Sequence, residues 1–328
     1  MEIYGTIGPA CADMEMLCQM IEAGMTGIRL NLSHTSMEAS KVQRDMIRTA
    51  AEAAGRPCRL LIDLQGPELR IGVMNQPLSL KAGETVMLGG QGIPVPKLVM
   101  DAVCPGDQLL LDDGKLLLRV RDEDTADILR GGQLESRKSI AIVGKQVDTP
   151  ALTPQDRINI AMAVSGGVSA VMQPFVRSRA DLEEVRRTLD EAGGQHIRLL
   201  AKIENLAGME NLEDFFGTAD EIVIARGDLG NAMPLWELPA AQKKIARACR
   251  TAGVPFMVVT QMLASMEQRP VPTRAEVSDI FNAVLDGASS VMVTAETAVG
   301  RYPAESIRYL TNTVAAAQTY LMQKETDT

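Results

Sequence analysis

The chain has 328 residues, of which 46% are hydrophobic, so a sizeable core can be buried and a disordered polypeptide is excluded. A formal charge of -9 excludes a general nucleic-acid or anionic-membrane surface and leaves any phosphate grip to a local basic pocket. Cys11, Cys18, Cys58, Cys104 and Cys249 lack CxxC spacing, and no window reaches transmembrane length, so reduced thiols in a cytoplasmic protein without a membrane partner are expected.

In chain order, short apolar runs alternate with longer amphipathic stretches, the pattern of repeated strand and helix units. Strands are predicted over Ile3 to Ile7, Gly27 to Leu32 and Arg59 to Leu64, with helices over Met14 to Ala23 and Ser36 to Ala54 stopped by Gly24 and Gly55. After the third strand the expected helix does not arrive. From Ile71 to Thr149 the pattern changes to short β segments punctuated by Gly-Gly, Pro-Gly and Asp-Gly. Those segments are Leu78 to Leu80, Thr85 to Leu88, Gln108 to Leu111, Lys115 to Val120 and Ser139 to Val143, with Gly131-Gly132 read as a turn. Residues 71–149 are therefore assigned to a small inserted β domain, between a first barrel part at 1–70 and a second at 150–328.

The alternation resumes with Thr153, a helix N-cap before Pro154. Further strands are predicted over Ala170 to Val176, Arg198 to Glu204, Glu221 to Ala225, Pro255 to Thr260 and Ser289 to Thr294, and a last helix over Pro303 to Met322. With the first three they make eight, and about 250 residues outside the insert is the usual size of a (β/α)8 TIM barrel. The expected fold is thus α/β, a TIM barrel with a small β domain inserted after strand three. No strand is followed by GxGxxG, so a dinucleotide fold has no motif support.

In such a barrel the site lies where strands end. Period-two geometry puts Arg29, Asn31 and Ser33 on one side of strand two, and Lys202 and Glu204 on one side of strand five. Strand three ends Asp63-Leu64-Gln65-Gly66-Pro67-Glu68-Leu69-Arg70, where the insert departs. Strand six ends Ala225-Arg226-Gly227-Asp228, whose glycine turn exposes backbone N–H groups that can receive an anion. Glu204 and Asp228, on neighbouring strands, suit Mg²⁺ or Mn²⁺ completed by substrate and water. Strand seven adds Thr260 and Gln261. Singly, each group reads as an ordinary ion pair or cap; their gathering at matching strand ends points to a site.

These residues carry a resemblance to the pyruvate kinase family. Thr6-Ile-Gly-Pro-Ala10, Ala23-Gly-Met through Arg29-Leu-Asn31 and Ser33-His34, Gly66-Pro-Glu-Leu-Arg70 and Asp112-Asp-Gly114 follow the family's motifs in order. So do Lys202-Ile-Glu-Asn205, Ala225-Arg-Gly-Asp-Leu-Gly230, Thr260-Gln-Met-Leu263, Pro272-Thr-Arg-Ala-Glu276 and Asn282-Ala-Val-Leu-Asp-Gly287. The resemblance implies a glycolytic, ATP-binding phosphotransferase acting on phosphoenolpyruvate/pyruvate and ADP/ATP. It makes Glu204 and Asp228 ligands of Mg²⁺ or Mn²⁺, and Lys202 the cation against the transferred phosphoryl group. Ala225, Arg226, Gly227 and Asp228 would receive the substrate carboxylate, with Thr294 in the same substrate set. Thr260, or a water chain beside it, would serve protonation of the methylene. Arg29 and Arg70 match the phosphate-clamping arginines, while His34, Asn31 and Lys138 fall on the nucleotide side. Asn31, Ser33, Asp63 and Leu64 match the ligands of K⁺. Family habit also implies a homo-oligomer, a dimer through barrel helices being expected.

The chain departs from the family at several places. Leu64-Gln65 replaces the usual Thr-Lys, although Glu68 is the residue of potassium-requiring members, which makes a hybrid. Gln173-Pro174 removes a hydroxyl from the fourth-strand motif. The insert is shortened, and the family's C-terminal α/β domain is not expected in this chain. Three functions follow for consideration: phosphoryl transfer from phosphoenolpyruvate to a nucleoside diphosphate, metal-dependent aldol or lyase chemistry through an enolate on a 2-oxoacid, and a catalytically silent binding subunit. Cysteine nucleophiles lack support, since no motif ties His34 or His196 to a thiol.

Overall fold

Hydrophobic runs too short for helices, each followed by an amphipathic stretch, bury themselves as parallel strands covered by helices. The computed structural model describes residues 1–326 except positions 113, 146 and 148, and its chain divides into one unit of Met1–Gly66 with Ala151–Thr328 and another of Pro67–Pro150. The first unit opens with β1 (Glu2–Thr6), α1 (Met14–Glu22), β2 (Gly27–Asn31), α2 (Lys41–Ala53) and β3 (Arg59–Asp63). The second supplies β4 (Leu78–Leu80), β5 (Thr85–Met87), α3 (Lys97–Met100), β6 (Gln108–Leu111), β7 (Leu116–Val120), β8 (Thr125–Arg130), β9 (Gly132–Leu134) and β10 (Ile140–Ile142). The first unit resumes with α4 (Pro154–Ala161), β11 (Val168–Gln173), α5 (Arg179–Glu191), β12 (Arg198–Ile203), α6 (Leu206–Glu210), β13 (Glu221–Ala225) and α7 (Arg226–Asn231). It ends with α8 (Leu238–Ala252), β14 (Phe256–Val259), α9 (Arg274–Leu285), β15 (Ser290–Met292), α10 (Ala295–Ala298) and α11 (Pro303–Thr326).

Eight parallel strands close in the order β1-β15-β14-β13-β12-β11-β3-β2, which is the (β/α)8 barrel the alternation predicts. Tyr4, Leu61, Ala170, Met172, Leu200, Val223, Ala225, Met257, Val259 and Met292 fill the interior, while alternate residues such as Leu60 and Ile62 face the helices. Tyr4 fits because its neighbour across the ladder is Gly27, where an added Cβ would lie 2.3 Å from the Tyr4 ring. Thr153 is the N-cap expected before Pro154, and with Asp156 it forms a capping box at the start of α4.

Several barrel strands stop earlier than predicted: β12 at Ile203, β14 at Val259 and β15 at Met292. The residues beyond, Glu204, Thr260 and Thr294, leave the ladder, and at Thr260 and Gln261 the backbone enters the left-handed region with φ +76° and +56°. Such torsions cannot continue a strand.

In the second unit an antiparallel sheet of order β10-β6-β7-β8-β5 and the pair β4-β9 surround Leu80, Leu109, Leu111, Leu118, Ile128, Leu134 and Ile140. Strands β8 and β9 are additions to the sequence reading. Gly131-Gly132 is not a plain turn: Gly132 pairs with Leu80, and a Cβ on Gly131 would lie 2.3 Å from the Leu80 carbonyl oxygen. The glycines permit close strand approach. Asp113, of the Asp-Asp-Gly motif, lies outside the described residues.

The N-terminal strand ends are joined by ions. The fully buried Glu221 accepts from Arg198 at 2.5 Å and from the hydroxyls of Ser289 and Ser290 at 2.8 and 2.5 Å. Glu2 takes Arg198, Arg59 and the Tyr4 hydroxyl. Burial, with Glu221 nearby, pushes the Tyr4 phenol up to about 12. Truncating Glu221 would leave Arg198 without its buried partner, so Glu221→Ala is expected to lower unfolding stability by about 3 kcal/mol, read as a shift of the urea midpoint at constant slope. The thiols give a second check. Cys104 is exposed, whereas Cys11 and Cys249 are buried, with pKa values pushed up to about 11 and 12 by desolvation. Ellman's reagent should modify Cys104 in the native protein and reach Cys11 and Cys249 only on unfolding.

Candidate functional site

The inward rows of β2, β3 and β12 converge as their periodicity requires. Register pairs Asn31 with Asp63, and on this face two cations meet two carboxylates. Arg29 donates from Nε and Nη2 to Asp63 Oδ2 at 2.8 and 2.7 Å. Lys202 Nζ reaches the same oxygen at 3.2 Å and Glu204 Oε1 at 2.8 Å. Glu204 Oε2 accepts the Phe175 N–H at 2.8 Å. The side chains of Asp63 and Glu204 are 2% exposed, so their charges survive only by pairing.

The pairing sets protonation. Burial alone would push the Asp63 carboxyl up, but Lys202 and Arg29 outweigh it and hold the group below the usual carboxylate range. Burial likewise pulls Lys202 down, and the negative charges of Asp63 and Glu204 more than reverse that, leaving its ammonium above the ordinary lysine value. Two of the three ammonium donors are engaged. Asp63 Oδ1, by contrast, is buried and has no hydrogen-bond partner. Close by in sequence, Asn31 Oδ1 accepts the Ser33 N–H at 3.1 Å, the His34 N–H bonds to the Asn31 carbonyl at 3.3 Å, and Leu64 donates its N–H to Met172.

A second group forms where β13 and β14 end. Ala225 closes β13, and Gly227 and Asp228 lie in the first turn of α7. The side chain of Arg226 grips the Thr260 carbonyl with Nε at 3.2 Å and Nη2 at 2.8 Å, while Nη1 pairs with Asp279 at 2.6 Å. This fork holds a β-branched residue in a backbone region that costs of order 1–3 kcal/mol. Gly227 leaves space for it, since a Cβ there would come within 3.0 Å of Thr260 Cγ2. Buried Glu296 accepts the N–H groups of Leu263 and Thr294 at 3.0 and 2.7 Å, tying the ends of β14 and β15 together. The sequence motif points to Arg226 only through its backbone and does not single out Asp279 or Glu296. The available signal is the acid of Thr294-Ala-Glu296, two residues past the predicted end of the last strand.

The remaining candidates belong to the second unit. Arg70 pairs with Glu68 at 2.7 Å and donates to the Arg137 carbonyl at 2.9 Å. Lys138 and Lys115 reach Asp112 at 3.1 and 3.2 Å. Burial opposes ionisation of Asp112, but hydrogen bonds from the two lysines hold its carboxyl below the ordinary value. An isolated bridge between Arg70 and Ser139 sets Arg70 beside the Lys138 segment. In the first unit, at the altered fourth-strand motif, Gln173 donates to the Ala151 carbonyl at 2.8 Å, and Phe175 has φ +52°.

The donor set fits the ions that the resemblance implies. Among the described residues no three His, Cys, Asp or Glu side chains form a metal-holding group. Two carboxylates completed by substrate and water are what Mg²⁺ uses, and the unpartnered Asp63 Oδ1 suits a monovalent cation.

A parallel (β/α)8 barrel with charge-paired lysine, arginine and carboxylates at the C-terminal strand ends defines a barrel with a polar centre in the position where such folds place their chemistry. A family model described as pyruvate kinase, barrel domain, matches residues 1–307. The pyruvate kinase of Geobacillus stearothermophilus is 37% identical over 323 residues, covering 94% of this chain and 55% of that protein. That of Sporosarcina psychrophila is 38% identical over 323 residues with the same coverage, and that of Mycobacterium intracellulare 38% over 331 residues, covering 97% of this chain and 70% of its own length. This chain belongs to the pyruvate kinase family, and it spans just over half the length, 55%, of the first two relatives.

Asp63→Asn removes the charge that Arg29 and Lys202 share. At neutral pH it is expected to lower stability by about 3 kcal/mol. Because the folded Asp63 pKa is depressed, its contribution is present above roughly pH 4, the unfolded value, and is lost as pH falls through the folded value. Denaturant midpoints of wild type and variant should therefore converge in acid; midpoints that stay equally far apart would contradict the pairing.

Proposed function

We propose that the chain transfers a phosphoryl group between phosphoenolpyruvate and a nucleoside diphosphate through an enolate, as a cytoplasmic pyruvate kinase-type phosphotransferase. The observation that carries this reading is Lys202, buried between Asp63 and Glu204 with its ammonium held protonated. A fixed cation of this kind stabilises the charge spread over a transferring phosphoryl group, and it costs no reorganisation when the charge develops. The same high proton affinity disqualifies it as the general base.

The other residues divide the remaining work. Arg29, anchored on Asp63 through Nε and Nη2, keeps Nη1 for a phosphate oxygen, and Arg70 and Lys138 are assigned to the nucleotide. Residues Ala225 to Asp228 receive the substrate carboxylate on backbone N–H groups, with Thr294 in the same set. Thr260, whose carbonyl is held by Arg226, is assigned to protonation of the methylene, by itself or through a water chain beside it. Glu204 and Asp228 would hold Mg²⁺ or Mn²⁺, whose charge neutralises the carboxylate and enolate oxygens. Asn31, Ser33, Asp63 and Leu64 would hold K⁺, for which the free Asp63 Oδ1 is the support. His34 is placed on the nucleotide side, and a homodimer is the expected state.

The test is turnover of phosphoenolpyruvate and ADP to pyruvate and ATP with Mg²⁺ or Mn²⁺, in K⁺ and in Na⁺. Lys202→Met should lower kcat by about 10³-fold or more with a much smaller change in KM. Pyruvate formed without ADP would favour enolate chemistry with another acceptor; no turnover of either kind would sink the proposal.

A further inference from the structure

The chain leaves the first unit after Gly66 and returns to it at Ala151, and one buried carboxylate bonds to both segments. Asp156 is 0% exposed and lies in the first turn of α4. Its Oδ1 accepts the Gln65 N–H at 2.9 Å, and its Oδ2 accepts the Gly66 N–H at 3.1 Å. Oδ2 also takes the Thr153 N–H at 2.9 Å and the Thr153 hydroxyl at 2.7 Å. A capping box uses the Thr153 N–H and the reciprocal bond from Asp156 N to the Thr153 hydroxyl, present at 3.0 Å. The bonds to Gln65 and Gly66, 91 and 90 residues distant in sequence, are additional to it.

Those two amides directly follow Asp63 and Leu64. The exit they form is narrow: Gly66 has φ +60°, and an added Cβ would lie 2.5 Å from Pro174. On the other side, Leu64 is held by its N–H bond to Met172 at 3.1 Å. A carboxylate receiving two consecutive N–H groups sets the direction of the peptide planes that carry them, and charge-assisted bonds are the strong ones.

We propose that Asp156 is a positioning residue for the active centre: by holding the amides of Gln65 and Gly66 it sets the β3 exit, and with it the direction in which Asp63 offers its carboxylate to Arg29 and Lys202. Its kinetic consequence rests on the phosphoryl-transfer reading above; its structural consequence does not.

The test compares Asp156→Asn and Asp156→Glu with Thr153→Ala in the full chain, by amide hydrogen exchange and by kcat and KM for phosphoenolpyruvate. Asparagine keeps the volume but turns one acceptor into an NH₂ donor, and glutamate displaces the charge by one methylene. Thr153→Ala removes the cap hydroxyl and leaves both carboxylate oxygens for Gln65 and Gly66. Both Asp156 variants are expected to speed exchange at Gln65 and Gly66 by about tenfold or more. Their kcat should fall by about tenfold, with KM nearly unchanged, as misplacement of a catalytic group predicts. Thr153→Ala should raise exchange only in the first turn of α4 and keep kcat, even where its melting midpoint falls as far. Unaltered exchange at Gln65 and Gly66, or equal kcat losses in the Asp156 and Thr153 variants, would reduce Asp156 to a helix cap. If the wild type does not turn over phosphoenolpyruvate and ADP, the activity reading fails by itself, and exchange at the two amides decides the clamp.

Discussion

The Asp63 carboxylate is the interaction on which the site of the first unit depends. One of its oxygens receives Arg29 from β2 and Lys202 from β12, so three strands are tied at one atom. Two cations buried this close would repel and desolvate each other without it. Glu204 completes the balance by taking the second donor of Lys202, and its other oxygen holds the Phe175 amide. The site is thus nearly neutral before any ligand arrives, and each charge is aimed by another charge. Preorganisation of this sort is what electrostatic catalysis requires.

Around that centre, charged side chains repeatedly hold backbone rather than one another. Arg226 grips the Thr260 carbonyl, Glu296 the Leu263 and Thr294 amides, and Glu276 the amides of Ser265 and Thr273 at 2.7 Å each. These contacts sit where the barrel strands have ended and ladder bonds no longer order the chain. A buried ion directed at a peptide group supplies there what the sheet supplies below. The left-handed torsions at Phe175, Thr260 and Gln261 persist because these clamps over-determine them.

The barrel was legible because its signal is periodic: eight buried runs with intervening amphipathic helices admit few architectures, and strand periodicity alone put Arg29 and Asn31, and Lys202 and Glu204, on common faces. Strand ends were less so, since the departure of Thr260 from the ladder is decided by Arg226 and Gly227, which lie elsewhere in the sequence. Strand β8 was missed because Thr125-Ala-Asp-Ile-Leu-Arg130 is half polar and acquires its partner only when Leu118 and Ala126 find a common core. The side-chain targets of Arg226 and Asp156 were illegible for a related reason. A charge in a sequence announces that it needs a partner, and only the fold tells whether that partner is a side chain, a ligand or the backbone.

The methionines of the barrel interior carry one more consequence. Met172, Met257 and Met292 lie buried on strands β11, β14 and β15, whose extensions hold Phe175, Thr260 and Thr294. Thioethers are unbranched and polarisable, so this floor adjusts its packing more readily than a β-branched one would. Oxidation of any of them would set a polar sulfoxide among the apolar side chains of the barrel interior. The same methyl groups, labelled with carbon-13, would report from inside the barrel on events at its mouth.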